Sequence, residues 1–176
     1  MSQRLDVTIT YLEQRARPTN PPPPKPAIPT AIMRAVNPPL HYYRYLYKLV
    51  GEPWNWVSRL QMSDEELSAI ILHPDVYVYV LYVAGVPNGL AEIDGRDPKT
   101  CELKFFGLSP DCTGRGLGRF FLYHALDLAW SLNPEKLVLE TCTLDHPAAL
   151  PLYQKTGFTV SDRKQGTVEL LITDPD

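Results

Sequence analysis

Leu108-Ser109-Pro110-Asp111-Cys112-Thr113-Gly114-Arg115-Gly116-Leu117-Gly118-Arg119 sets three glycines at alternate positions between an apolar run and a helical one. Glycine lacks Cβ, so the backbone here can turn its N–H groups toward one point. The residues that follow open a helix, whose first-turn N–H groups have no intrahelical partner and whose dipole favours an anion. A pyrophosphate is the natural guest. The glycines are two apart throughout, which is not the G-x-G-x-x-G spacing, and no Gly-Lys-Ser/Thr is present. Read alone, the segment also fits a dinucleotide turn or a tight turn that holds no ligand.

The neighbouring elements narrow these options. Thr100 to Leu108 reads as a strand with Leu103, Phe105 and Gly107 on one face. Val76 to Val83, rich in Val and Tyr, suits a sheet. Val86-Pro87-Asn88-Gly89 reads as a turn into a strand over Leu90 to Asp94, and Gly95 to Lys99 as a second turn. Short turns imply antiparallel neighbours, which a dinucleotide fold would not show. Downstream, Leu117 to Leu132 is a helix with Leu117, Phe120, Phe121, His124, Leu128 and Ser131 along one stripe, ended by Asn133-Pro134. Lys136 to Thr143 is an apolar strand expected to be buried on both sides. Ala148 to Lys155 is a short helix closed by Gly157. Phe158 to Val160 and Thr167 to Thr173 are expected to form a hairpin across Asp162 to Gly166.

Upstream, Asp6 to Leu12 alternates as a half-buried strand does. Arg17 to Pro29 contains Pro21 to Pro24, which cannot donate backbone hydrogen bonds, so it reads as part of an extended Pro-rich loop over about residues 17–39. Leu40 to Val50 has helical spacing, and Ser63 with Glu66 three residues on is a capping-box signature for a helix over Ser63 to Leu72.

Glu102 to Gly118, followed by Leu152-Tyr153-Gln154-Lys155-Thr156-Gly157-Phe158, resembles the Gcn5-related N-acetyltransferase (GNAT) superfamily. Thr113-Gly114-Arg115-Gly116-Leu117-Gly118 matches its phosphate-loop motif Gln/Arg-x-x-Gly-x-Gly/Ala, and Tyr153 stands four residues before Gly157-Phe158 as in its second motif. The resemblance implies an α/β (α+β) fold: a central, mostly antiparallel, splayed mixed sheet of about six to seven strands flanked by helices. It implies acetyl-CoA as acyl donor and direct transfer of acetyl to a primary amine of a small molecule, peptide or protein. Pantetheine would lie in the splay against backbone at Phe106, Gly107 and Leu108, with the Phe106 N–H on the acetyl oxygen. The phosphates would lie on residues Thr113, Gly114, Arg115, Gly116, Leu117, Gly118 and Arg119. Thr113 stands where the family carries Gln or Arg, leaving Arg115 or Arg119 to supply charge. His146 stands where the family often carries Asn in its contact to coenzyme. A coenzyme-binding sensor without catalysis is the alternative reading of the same motifs.

Attack requires a neutral amine, so something must accept a proton. By register from the glycine motif, Glu102 matches the base position of the histone-modifying branch. Glu92, on the neighbouring strand, is its rival, and both also read as exposed strand carboxylates. Tyr153 is the candidate acid for the leaving thiolate, whose pKa is near that of a free thiol, about 8.5. The aromatic residues of 41–56 read either as core packing of an amphipathic helix or, in the resembled fold, as the acceptor wall, with Tyr43, Trp54 and Trp56 the candidates to face the pocket and Leu46 and Tyr47 in the core.

The 176 residues, 44% hydrophobic and 21% charged, fit one domain over 1–176 with a real core. A net charge of −3 supplies no dominant basic field, so no nucleic-acid or anionic-membrane partner is expected. No apolar run approaches the ~18 residues of a membrane span, and Met1 to Asp6 lacks a signal-peptide apolar region, so a cytoplasmic protein is expected. Three cysteines without metal spacing read as reduced thiols. The four histidines share no metal spacing either, His124 reads as structural, and no metal is expected. The sequence leaves acceptor identity, acyl chain length and oligomeric state open.

Overall fold

The computed structural model describes residues 3–170. Seven strands form one sheet: β1 (Arg4–Gln14), β2 (Thr30–Arg34), β3 (Val76–Val83), β4 (Val86–Asp94), β5 (Thr100–Leu108), β6 (Lys136–Cys142) and β7 (Thr159–Glu169). Their spatial order is β2-β3-β4-β5-β6-β1-β7. Every neighbouring pair is antiparallel except β5 and β6, which run parallel.

Period-two alternation gives the sheet two apolar faces, and helices cover both. Helices α1 (Leu40–Gly51) and α2 (Asp64–Ile71) bury Tyr43, Leu46, Val50, Leu67 and Ile71 against Val78, Val80 and Leu90. Helices α3 (Leu117–Trp130) and α4 (Ala149–Lys155) bury Leu117, Phe121, Ala125 and Tyr153 on the other face, against Ala91, Ile93, Leu103 and Leu139. The α2 capping box is formed in both directions between Ser63 and Glu66. Buried Gln14 joins three elements, accepting from Trp130 Nε1 at 2.7 Å and donating to the Thr156 carbonyl at 2.6 Å.

One irregularity shapes the centre of the sheet. Ile93 pairs with Leu103 and Glu92 with Phe105, so Lys104 is an extra residue, a β-bulge. The bulge shifts the alternation: Leu103 and Phe106 both face α3, whereas Phe105 faces α1. The expected common face of Leu103, Phe105 and Gly107 is therefore corrected. The parallel β5–β6 register ends at Glu102↔Val138, two residues before the bulge, and beyond it the strands part.

The structure corrects other expectations. Thr30–Arg34 lies inside the expected Pro-rich loop yet forms edge strand β2, a short segment between prolines that pairs only with β3. The β3–β4 turn is Ala84-Gly85, both at positive φ, not Val86–Gly89. Pro87, Asn88 and Gly89 sit within β4 because a bulge at Asn88 relieves the pairing. β6 alternates buried and partly exposed residues, so only one of its faces is in the core. The buried side of α3 runs through Leu117, Phe121, Leu122, Ala125, Leu126, Ala129 and Trp130, leaving Phe120, His124 and Leu128 at its margin and Ser131 past its end. Among the described residues no terminal hairpin forms. Asp162 to Gly166 lies inside the single strand β7, which pairs along its length with β1, and residues 171–173 lie outside the described residues. The exposed charges suit an edge strand.

Gly107 has no room for a side chain, since a Cβ there would stand 2.6 Å from Val50 Cγ1. Gly107→Ala is expected to lower unfolding free energy by about 1–3 kcal/mol. Val50→Ala in the same chain should cost less than the two single losses combined, because it removes the clashing methyl. Urea unfolding of the four variants in that cycle measures both.

Candidate active site

Where β5 leaves β6, the gap is a cavity of about 770 Å³, within the size range of small-molecule sites. One end is the glycine loop, through Thr113, Gly114 and Gly118. The middle is lined by Phe106, Gly107, Leu108, Leu152 and Tyr153, and the far end by Tyr47, Trp56, Ser58, Arg59 and Met62.

Gly114 and Gly116 hold φ of +78° and +73°, a left-handed backbone that non-glycine residues adopt only under strain. Gly116 is the N-cap of α3 and supplies no side-chain cap, so the first-turn N–H groups of α3 have no side-chain partner there. Ser109 fixes the loop's entry: its N–H donates to the Asn88 carbonyl and its hydroxyl to Asn88 Oδ1, each at 2.8 Å. The Asn88 bulge thus anchors the loop. Thr113 turns its hydroxyl back to the Pro110 carbonyl at 3.0 Å. Arg115 and Arg119 are exposed beside the loop, and Leu117 is core, with only its backbone at the helix end.

Tyr153 is 8% exposed, packs between Phe106 and Phe158, and lines the cavity. Its hydroxyl makes no hydrogen bond among the described residues. Burial first, and the nearby Asp145 carboxylate second, push its phenol above the ordinary tyrosine range.

The expected carboxylates do not reach this space. Glu102 belongs to the last β5–β6 pair, before the strands part, and bonds to Lys104 at 3.4 Å. It faces a separate shallow depression with Asp94, Arg96, Asp97 and Thr100. Glu92 is fully buried, with one oxygen bonded by Arg59 Nη2 at 2.5 Å and the other by the Tyr43 hydroxyl. Tyr43 is therefore core and not pocket wall, because its hydroxyl serves a buried charge. Burial works against the Arg59 charge, but Glu92 and Tyr43 outweigh it and the net shift is upward. Burial and Glu92 likewise raise the Tyr43 phenol.

Trp54 and Trp56 do line the cavity, and so does Tyr47, which sits between Trp56 and Phe105. Residues 54–56 form a strap over the parted strands. Trp54 meets the His146 ring at 5.0 Å, Asn55 Nδ2 donates to the Glu169 carbonyl at 2.6 Å, and Trp56 Nε1 reaches Asp145 Oδ1 at 3.4 Å. His146 lies exposed on the cavity rim, its Nδ1 accepting from the Ala148 N–H. Sequence reasoning missed Arg59 and Asp145. Arg59 sits in a loop with no local signal. Leu144-Asp145-His146-Pro147 is a turn signal at the carboxyl end of a parallel strand, a position where open sheets place ligands. Among the described residues no group of three or more acidic, His or Cys side chains could hold a metal, and no helix is long and apolar enough to cross a membrane.

Residues 43–158 match the model of the acetyltransferase (GNAT) family. No curated protein sequence matches the chain significantly. Among solved structures, a functionally unknown conserved protein from Staphylococcus epidermidis superposes with TM-score 0.63 at 16% identity, over 96% of this chain and 64% of its own. A GCN5-related N-acetyltransferase from Sphaerobacter thermophilus gives 0.59 at 18%, over 93% and 51%. A GNAT family acetyltransferase from Elizabethkingia anophelis, solved with acetyl-CoA bound, gives 0.55 at 19%, over 80% and 98%. At these identities the likeness is one of fold, and the chain spans half to two thirds of the first two proteins.

Removing one partner of the buried pair leaves an uncompensated charge. Glu92→Leu is expected to cost about 3–5 kcal/mol in urea unfolding, and Glu92→Leu with Arg59→Met much less. The raised phenols carry a pH signature. The unfolded chain loses these protons from about pH 10 and the folded chain only above that, so stability is intact below pH 10 and falls as pH rises past it. Denaturant midpoints measured from pH 7 to 11 test the sign.

Proposed function

The chain belongs to the acetyltransferase (GNAT) family, and from that premise we propose that it transfers acetyl from acetyl-CoA directly onto a primary amine of a small molecule or peptide. The observation that carries this reading is the continuous cavity. It joins an uncapped helix N-terminus to an aromatic chamber through the gap between two parallel strands, with Tyr153 in its wall.

Each part has a task. The first-turn N–H groups of α3 and the loop over Thr113 to Arg119 bind pyrophosphate oxygens, with Arg115 and Arg119 adding charge at the surface. Pantetheine runs along Phe106, Gly107 and Leu108, and His146 borders it at the rim. The Phe106 N–H stabilises the oxyanion as the amine attacks. The C–N bond forms, the C–S bond breaks, and the coenzyme thiolate takes the phenolic proton of Tyr153. Burial keeps the phenol protonated at neutral pH, so the proton is in place when the thiolate forms. Trp54, Trp56 and Tyr47 hold the acceptor by its apolar body or its ammonium. A second reading, a coenzyme sensor without turnover, draws on Thr113, whose hydroxyl is bonded within the loop and not offered to a phosphate.

Acetyl-CoA is expected to raise the thermal midpoint, since ligand bound only by the native state adds stability. Free thiol should appear only when a panel of aliphatic, aromatic and polybasic primary amines is added. A raised midpoint with no thiol release from any amine favours the sensor, and no shift at saturating coenzyme removes both readings. Tyr153→Phe should lower kcat by about 100-fold or more while leaving the midpoint unchanged, because its hydroxyl holds no internal bond.

A further inference from the structure

A reaction that consumes an amine needs a receiver for its proton, and the two expected carboxylates stand outside the cavity. Glu102 is below the parting of the strands, and both oxygens of Glu92 are engaged. The cavity wall has three carboxylates of its own, from Glu140, Asp145 and Glu169. Glu169 is paired with Arg4 at 3.3 Å, and Glu140 is exposed on β6.

Asp145 is held differently. Its Oδ2 accepts from the Thr141 hydroxyl at 2.5 Å and from the Cys142 N–H at 2.9 Å, which fixes the plane of the carboxylate. Its Oδ1 has only the 3.4 Å contact from Trp56 Nε1, long for a hydrogen bond. No Lys, Arg or His pairs with Asp145 among the described residues, so its charge is not neutralised. The groups around it are Trp56 from the α1–α2 connection, Thr141 and Cys142 from β6, His146 beside it, and Tyr153 from α4, which feels its charge. It is an oriented, unpaired carboxylate beneath the strap, in the wall of the same cavity that Tyr153 lines.

Resting on the N-acetyltransferase reading, the geometry points to Asp145 Oδ1 as the base that takes the proton of the attacking amine. The neutral amine donates its N–H to Oδ1. As the C–N bond forms and the C–S bond breaks, that proton passes to Asp145, and the Tyr153 proton passes to sulfur. Asp145 then returns a proton to the Tyr153 phenolate through solvent in the cavity. Both groups are restored, and the sum is amine plus thioester to amide plus thiol. Asp145 is a catalytic residue in this scheme, and Trp56 a positioning residue that steadies Oδ1 until the amine displaces its long contact.

The test follows amine-dependent thiol release and the acetyl-CoA-induced midpoint shift in Asp145→Asn and Asp145→Glu. The Asn side chain can still accept from Thr141 and Cys142 but is no base. The expected result is a kcat lowered by about 100-fold with KM for acetyl-CoA and the midpoint shift retained, and partial recovery in Asp145→Glu. Asp145→Asn turnover within about twofold of wild type overturns the assignment, since a general base contributes far more than that. Loss of both the midpoint shift and turnover in Asp145→Asn, with no recovery in Asp145→Glu, assigns Asp145 to holding the β6–α4 turn and also overturns it. Wild-type protein that binds acetyl-CoA but releases thiol with no amine overturns the parent reading itself.

Discussion

The opening at the centre of this sheet coincides with one extra residue in β5. Lys104 has no partner across β4, so β5 bends where its parallel contact with β6 ends. A bulge adds local twist and redirects the side chains beyond it. Leu103 and Phe106 reach α3, while Phe105 and Gly107 turn to α1. Backbone that would otherwise be consumed in a ladder becomes the wall of a cavity.

The two ends of the cavity are stiffened by different means. At the donor end, Asn88 and Ser109 hold the loop by backbone and side-chain bonds across a second bulge. At the acceptor end, a buried Glu92–Arg59 pair and the Tyr43 hydroxyl pin the α1–α2 connection to β4. A charge inside a core is costly unless paired and hydrogen-bonded. Its presence fixes where Arg59 sits, and with it the loop that bears Trp54 and Trp56. Three consecutive residues then bridge to the β6–α4 turn and to β7. The polar core and the strap are one mechanical unit.

Local signals in the sequence were a sound guide to elements and a poor one to register. The strands over Val76–Val83 and Thr100–Leu108, the capping box at Ser63 and the glycine loop are legible because each depends on neighbours in sequence. The bulges at Lys104 and Asn88 are not, since an extra residue is defined only against the partner strand. That is why Glu102 reads as facing the reaction space when it lies short of it, and why Tyr43 reads as pocket when it serves a buried charge. The hairpin expected after Phe158 fails for a related reason. Asp162 to Gly166 has the composition of a turn, but β1 offers a partner of matching length and keeps it extended. Asp145 combines both lessons: its turn is visible in the sequence, but its place under the strap is set by contacts from a loop far upstream.

The position of β1 carries a consequence for how this sheet comes into being. Among the described residues, the first strand lies between the last two. In vectorial synthesis it emerges before either partner exists, and its edges stay unsatisfied until almost the whole domain has left the ribosome. Contacts so distant in sequence slow folding, because their loop must close before they contribute. The half of the sheet carrying β2 to β5 can gather around α1 and α3 while β1 waits. The wall of the cavity formed by β6, β1 and β7 therefore rests on the contacts most distant in sequence.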